Sequence, residues 1–305
     1  MLLTSGYNNT TGSNPGKGFL YVLDAMTGAV ISKISTGVGD ATTPSGLAKI
    51  ASFVELPSKN NETVNTYGGD LLGNLWRFDI NAAAASGTNP FLLATLKDSS
   101  GGAQSITTRP EIGKISNYPV VFVGTGKYLE VSDLTNTQQQ TLYAIKDTGT
   151  AFANVRNYLS PETLVTAGST RTSAYNTTND FATGNGWYIN LPDSGERQNV
   201  SARLVSGTLV VPTTVPSNTV CSPGGYGWVN YINAKTGGAV DETTIVSSKT
   251  NAPPVGINVV YIGGTPVVSV TTANNPTPAL VPNAKFSLNP SGFSSKRAIW
   301  RELIE

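Results

Sequence analysis

The amino-acid sequence predicts an all-β chain folded as a β-propeller. Three observations predict it: Gly and Pro recur every few residues, the Val-, Ile- and Tyr-rich runs are short, and one strand-and-turn pattern returns along the chain. The 32 Gly and 18 Pro, among many Thr, Ser and Asn, favour strands joined by tight turns over long helices. With 305 residues, 39% hydrophobic and 13% charged, the chain can bury a sizeable core while showing water a polar, weakly charged surface.

The repeat is clearest at Gly18-Phe-Leu-Tyr-Val-Leu-Asp-Ala-Met-Thr-Gly28 and Gly227-Trp-Val-Asn-Tyr-Ile-Asn-Ala-Lys-Thr-Gly237, which align without a gap. Gly73-Asn-Leu-Trp-Arg-Phe-Asp79 and Thr141-Leu-Tyr-Ala-Ile-Lys-Asp147 share the strand order but lack the Thr-Gly ending. Thr42-Thr-Pro-Ser-Gly-Leu-Ala-Lys-Ile50 matches Thr107-Thr-Arg-Pro-Glu-Ile-Gly-Lys-Ile115, 65 positions on, which sets the expected length of one unit. Alternation puts Leu20, Val22 and Asp24 on one side and Tyr21, Leu23 and Ala25 on the other, as in a strand covered on both faces. Asp24 can bond the backbone ahead of it and Gly28 can take a positive φ, closing the turn.

A sheet that cannot bury both faces alone must stack on its neighbours, which is the logic of a propeller blade. Four blades are clear and a fifth is indicated. The remaining strands are expected at 47–56, 66–70, 120–124, 186–191, 204–211 and 255–262, with the Asn/Thr/Ser-rich insertion 170–183 as a surface loop. The whole of 1–305 reads as one partial propeller ending in a tail, 291–305. The opening Met1-Leu-Leu-Thr-Ser-Gly-Tyr7 reads as the end of a strand inside a blade, so an N-terminal truncation and self-association through unpaired edges are expected.

Composition excludes several functions. A net charge of +1 gives no field to gather phosphates, so nucleic acid is not an expected partner. No run of about 18 apolar residues spans a bilayer, and no secretory signal stands at the start. The chain has no His, which removes Ser-His-Asp and Cys-His nucleophiles and His-bound zinc. Cys221 is the only cysteine; it is read as a small residue at a strand entrance, able to bridge only to a cysteine elsewhere in a longer chain.

The tempting sites have plainer readings. Gly124-Thr-Gly-Lys127 lacks the first Gly of a phosphate loop and has Tyr128 where the metal-binding hydroxyl belongs, so it is read as a strand end. Asp24, Asp70 and Asp79 are read as turn-making carboxylates rather than an acid-base pair. Trp76, Trp187 and Trp228 are read as packing between blades. Asn8, Asn9, Asn61, Asn176 and Asn199 match the glycosylation pattern and are read as loop residues. No catalytic or cofactor-binding residue is assigned.

Tyr67-Gly-Gly-Asp-Leu-Leu-Gly-Asn-Leu-Trp-Arg-Phe-Asp79, Val123-Gly-Thr-Gly-Lys-Tyr-Leu129, Gly186-Trp-Tyr-Ile-Asn-Leu-Pro-Asp-Ser-Gly-Glu-Arg197 and the closing Trp300-Arg-Glu-Leu303, together with the 18–28 repeat, resemble the C-terminal propeller of the PilY/PilC type IV pilus proteins. The resemblance runs from about Ser5 to the C-terminus. It implies a modified quinoprotein-like propeller without catalysis, secreted to the outer-membrane surface or pilus tip. Such a protein supports pilus biogenesis, the balance of assembly and retraction, and adhesion, with pilins and host or abiotic surfaces as partners.

The resemblance also implies a candidate metal loop, since many members of that family hold calcium in an acidic loop just before the Gly-Asp-Leu-x-Gly-Asn strand. The matching loop here is 58–66, where Asn60, Asn61, Glu62 and Asn65 offer oxygens. With one carboxylate and Lys59 beside it, a hydrogen-bonded hairpin loop is the preferred reading and calcium the alternative. Two other functions are weighed: a quinoprotein dehydrogenase, against which the single cysteine and the lack of an acidic cluster count, and a periplasmic scaffold for outer-membrane assembly.

Overall fold

In the computed structural model the described residues are 1–7, 9–55, 59–80, 89–175, 180–217, 224–281, 284–286 and 293–294. Asn8, Asn176, Cys221, Trp300 and the tail 291–305, apart from 293–294, lie outside them. Strands dominate, with two four-residue 3-10 turns at Val131–Leu134 and Val155–Tyr158.

Five sheets follow along the described chain. The first is an antiparallel set of β1 (Leu2–Thr4), β2 (Phe19–Leu23) and β3 (Val30–Ser35); the second runs through β4 (Ile50–Val54), β5 (Thr63–Gly69), β6 (Asn74–Phe78) and β7 (Phe91–Thr95). Next come β8 (Glu111–Ile115), β9 (Tyr118–Gly124), β10 (Thr141–Lys146), β11 (Ser160–Glu162), β12 (Val165–Ala167), β13 (Thr170–Thr172) and β14 (Gly186–Asn190). Of these, β8, β9, β10 and β14 make the third sheet, with β11 added in parallel beyond β14. The fourth sheet is β15 (Arg203–Val205), β16 (Thr208–Val215), β17 (Tyr226–Asn233) and β18 (Ile245–Thr250), extended beyond β18 by β13 and β12. The fifth is β19 (Pro254–Ile262), β20 (Thr265–Thr272) and β21 (Asn275–Leu280), and β22 (Phe293–Ser294) returns to pair with β8.

The period of two explains why the sheets stack. Phe122, Leu142 and Ala144 of the third sheet pack on Leu209, Val211 and Ile232 of the fourth, whereas the intervening Val121, Val123, Tyr143 and Ile145 pack on Tyr67, Leu75 and Leu93 of the second. In the same way Val210, Val229 and Tyr231 turn to Ile257, Val268 and Val270 of the fifth sheet, and Leu20 of the first meets Trp76 and Phe78 of the second. Strands apolar at every position are thus buried on both faces. Each such Val, Leu, Ile or Phe contributes roughly 1.5–3 kcal/mol. The first strands of successive sheets lie side by side, β4 by β8, β8 by β15 and β15 by β19, as around a propeller axis.

The gapless repeat is a structural repeat. After β2, Gly28 N–H donates to Asp24 O and Asp24 N–H to Ala29 O; after β17, Gly237 N–H donates to Asn233 O and Asn233 N–H to Gly238 O. Gly28 and Gly237 have φ of 73° and 79°. A Cβ on Gly237 would also lie 2.7 Å from the Trp187 ring, so glycine is required there twice over. Like β17 between β16 and β18, β2 lies between β1 and β3.

Three expectations need correction. The run 204–211 is not one strand but the hairpin β15–β16, turning at Ser206 (φ 46°) and Gly207 (φ 73°). The insertion 170–183 is not all loop, because β13 pairs with β18 and carries the fully buried Arg171. The 65-position match is out of frame with the strands: Ile50 opens β4, whereas Ile115 closes β8. The outer edges also carry their own protection. A β-bulge interrupts the β2–β3 ladder and β3 carries Lys33, and β21 contains Pro276 and Pro278, devices that oppose strand addition.

Candidate functional residues

The motifs that stand out in the sequence prove to be buried connections between strands and loops. Asp70, at the end of β5, is fully buried. Its Oδ1 accepts the N–H groups of Leu72 and Asn74, both at 2.9 Å, and its Oδ2 accepts Asn74 Nδ2 at 3.0 Å and Trp76 Nε1 at 2.9 Å. Burial pushes its carboxyl pKa up and these donors pull against it. Every residue of Asp70-Leu-Leu-Gly-Asn-Leu-Trp76 that could be taken for chemistry is therefore spent on the turn. Gly73 (φ 79°) sits where a Cβ would meet the Leu96 carbonyl at 2.6 Å.

Arg77, on β6, joins the second sheet to the third. Its Nη1 reaches both oxygens of Asp147 at 2.8 and 2.9 Å, the Tyr67 hydroxyl donates to Asp147 Oδ2 at 2.7 Å, and the guanidinium lies over Phe91. Burial, and then the Asp147 charge, push the Tyr67 hydroxyl far above its ordinary range.

Arg197 unites two motifs that are 70 residues apart. It is buried, and its four hydrogen bonds all go to backbone carbonyls: Nη1 to Lys127 and Asp133 at 2.7 and 2.8 Å, Nη2 to Asn136 at 2.6 Å, Nε to Gly195 at 2.8 Å. Gly126 (φ 127°) lies so close that a Cβ would stand 2.3 Å from that of Arg197. The stretch Gly124-Thr-Gly-Lys127 is thus a strand end whose following loop is clamped by Arg197, and Leu129 N–H and Glu130 N–H are held by Asp133 Oδ2. Lys127 pairs with Glu130 and Asp133 rather than pointing at an anion site.

Next to it, Glu196 forms a bidentate pair with Arg171 at 2.8 and 2.7 Å, both side chains being fully buried. The Thr213 hydroxyl adds a bond to Glu196, and the Arg171 guanidinium stacks 3.9 Å from the Trp228 ring centroid. Asp193 receives Trp228 Nε1 and the Tyr226 hydroxyl, each at 2.9 Å, and lies 3.1 Å from Arg171. Burial raises the Asp193 carboxyl, but the Trp228 bond, the Arg171 charge and the Tyr226 bond outweigh it and hold the group below its ordinary value. The Tyr226 hydroxyl is pushed up to about 12, by burial and then by Asp193.

The other candidates fall into place. Asp24 accepts Met26 N–H, Thr27 N–H and the Thr27 hydroxyl, the last pair from within its own turn, and these bonds, that of Thr27 N–H first, depress its pKa. Asp79 is bridged by Asn89 through its backbone N–H and C=O. Trp76, Trp187 and Trp228 are buried, with Trp187 Nε1 donating to the Ala234 carbonyl at 3.0 Å. Asn9 donates to the Lys17 carbonyl.

Asn60, Asn61 and Glu62 are exposed in the β4–β5 connection, whereas Asn65 is on β5 opposite Phe53. A calcium cage takes six to eight oxygens with several carboxylates, and this set brings one carboxylate, Glu62, in an exposed connection. Among the described residues no group of three or more His, Cys, Asp or Glu could hold a metal, and no helix is long and apolar enough to cross a membrane.

Sequence reasoning missed Asp147, Arg171, Asp193, Glu196 and Arg197 as connections. The signal available was their charge: in a chain with 13% charged residues, Asp193-Ser-Gly-Glu-Arg197 is a dense cluster between two apolar strands.

A family model for the PilY1 beta-propeller domain matches residues 1–96 and 87–166, through more than half of the chain. A "Type IV pilus biogenesis factor PilY1 homolog" from Xylella fastidiosa is 28% identical over 280 residues, covering 83% of this chain and 19% of that protein. The "Type IV pilus biogenesis factor PilY1" of Pseudomonas aeruginosa is 27% identical over 351 residues, covering 94% of this chain and 30% of that protein. The chain therefore spans about a fifth to a third of the length of these curated relatives. The crystal structure of the Pseudomonas aeruginosa PilY1 C-terminal domain superposes with a TM-score of 0.69 at 20% identity, over 92% of this chain and 71% of that one, which shows the same β-propeller fold. By its match to the family model, its stacked sheets and its shared motifs, the chain belongs to the PilY1 β-propeller family.

Proposed function

We propose that this chain is the propeller portion of a type IV pilus biogenesis factor and works by binding, not by catalysis. In this reading it supports pilus assembly against retraction and the attachment of the cell to host or abiotic surfaces. Its partners are major or minor pilins together with the surface itself, and its place is the pilus tip or the outer-membrane surface. The observation that carries the reading is that the family's own motif residues, Asp70, Arg77, Glu196 and Arg197, are consumed in buried bonds within the fold. What such motifs preserve is an architecture that presents loops. The relatives' names, as pilus biogenesis factors, support the same conclusion.

The quinoprotein dehydrogenase reading needs a calcium-bound quinone ringed by oxygen ligands, and no observation favours it or the outer-membrane scaffold. The deciding experiment deletes the segment 1–305 from the gene of the full-length protein and counts pili by electron microscopy alongside surface attachment. Loss of both, restored by the intact gene, is expected; unchanged piliation and attachment would reject the reading.

A further inference from the structure

The connection from the second to the third strand is residues 70–73 in the second sheet and 273–274 in the fifth, but 125–140 in the third. Antiparallel neighbours need only a tight turn. The added chain in the third sheet is not slack. Buried Asp133 accepts Leu129 N–H and Glu130 N–H at 2.8 and 2.9 Å, its own N–H donates to Glu130 O at 3.0 Å, and Arg197 holds the carbonyls of Lys127, Asp133 and Asn136. Gln138 Nε2 ties the far end to Asp98 Oδ2 at 2.7 Å.

What this fixed loop displays is apolar. Leu129 is 51% exposed and Val131 84% exposed. Glu130 between them is extended, with φ −131° and ψ 162°, so Leu129 and Val131 leave the same side of the backbone. Single apolar residues scattered over a surface are ordinary. Two on one side of a loop held by a buried arginine and a buried carboxylate are anchors set in advance, because the ordering that a mobile loop undergoes on association has already taken place in folding.

The chemistry of the loop selects among occupants. A sugar is held through its hydroxyls by hydrogen-bonding groups, and here the N–H groups of Leu129, Glu130, Asp133 and Thr135 are already engaged within the loop. An anionic lipid surface is held by free cations, and Lys127 is drawn between Glu130 and Asp133. The charge that the loop shows to water is Glu130, whose side chain is 62% exposed. Two aliphatic anchors beside one carboxylate match a folded protein with an apolar pocket edged by Lys or Arg.

We infer that residues 127–136 form a docking loop for a pilin, seating Leu129 and Val131 in an apolar pocket of the pilin head with Glu130 beside a Lys or Arg at its rim. The inference deepens the pilus reading above and rests on it. The test is biolayer interferometry of the purified chain against the purified soluble heads of the major and minor pilins of the same cells, with phosphatidylglycerol vesicles for comparison. Saturable binding to a pilin head and not to vesicles is expected. It is weakened about tenfold or more by Leu129→Ser and by Val131→Ser, about threefold by Glu130→Lys, and unchanged by Val30→Ser, an exposed apolar position on the first sheet. Both anchors are exposed, and thermal melting checks that the variants fold.

The assignment is overturned if no pilin head binds, if the double variant Leu129→Ser/Val131→Ser binds as tightly as the parent, or if Glu130→Lys binds more tightly. Vesicle binding that the double variant abolishes would overturn it in favour of a lipid surface. Cells carrying the double variant in the full-length protein are expected to make fewer pili although the variant chain melts like the parent. Normal piliation in that strain would overturn the docking loop, whereas the pilus biogenesis reading fails only in the deletion experiment.

Discussion

Replacing Arg197 by Met keeps the length of the side chain and removes its five donors. Four backbone carbonyls, of Lys127, Asp133, Asn136 and Gly195, then lose partners now at 2.6–2.8 Å. Hydrogen bonds to a charged group are worth about 1.5–3 kcal/mol each. The four cannot sum in full, because the freed loop can swing out and let water replace some of them. A net loss of about 3–5 kcal/mol is expected, in line with the removal of one partner from a buried polar network. At ~2–4 °C per kcal/mol for chains of a few hundred residues, the melting temperature falls by roughly 6–20 °C. Circular dichroism melting measures this, and limited proteolysis locates it, with new cleavage inside 127–136 before the sheets unfold. Arg197→Lys keeps the charge but not the planar fork and should fall between. A variant Arg197→Met that melts within 2 °C of the parent and shows no new cleavage would refute the clamp.

The other predictions concern the neighbouring network and the ions. Glu196→Gln or Arg171→Met should each cost about 3–5 kcal/mol, while the double variant Arg171→Met/Glu196→Met costs less than the two summed, because both fully buried charges go together and Asp193 keeps its Trp228 and Tyr226 bonds; denaturant midpoints of the three decide it, and additive losses would contradict the pairing. Since the folded-state pKa of Asp193 is depressed, its contribution is complete above the ordinary carboxylate range near ~4 and is lost as pH falls through the lower folded value. Melting curves should therefore drop below about pH 4, and Asp193→Asn should flatten that limb. Calcium or chelator should move the melting temperature by less than ~1 °C, because a ligand stabilises the fold only where a site for it exists; a shift of several degrees would put the ion back at Asn60 to Asn65.

How much was legible in the sequence depended on distance along the chain. The gapless match of 18–28 with 227–237 foretold β2, β17 and both turns, since the Asp or Asn, the Thr and the Gly that close them lie within five residues. Runs such as Val120-Val-Phe-Val123, apolar at every position, foretold sheets covered on both faces, and the three tryptophans are where packing would put them. The strand β13 was hidden because it is three residues long, polar, and paired with Ser247 and Ser248 more than seventy positions away. The hairpin β15–β16 was hidden because Ser206-Gly207 is a weaker turn signal than Asn-Gly.

For the candidate site the sequence showed which motifs mattered but not why. Gly124 to Lys127 and Asp193 to Arg197 read as two features, a phosphate-loop resemblance and a family motif. Only the fold brings the guanidinium of the second onto the carbonyls of the first. Conversely, the calcium reading at Asn60 to Asn65 came from resemblance alone, and the structure places Asn60, Asn61 and Glu62 in the exposed β4–β5 connection and Asn65 on β5.

The central claim is that these buried residues maintain the architecture and take no direct part in function. The most direct measurement is pilus number on cells carrying Asp70, Arg77, Glu196 or Arg197 variants in the full-length protein, plotted against the melting temperature of each variant chain. The account predicts one curve, on which piliation falls only as the folded fraction falls and returns when cells are grown cooler. A variant that melts like the parent yet leaves cells without pili would contradict it.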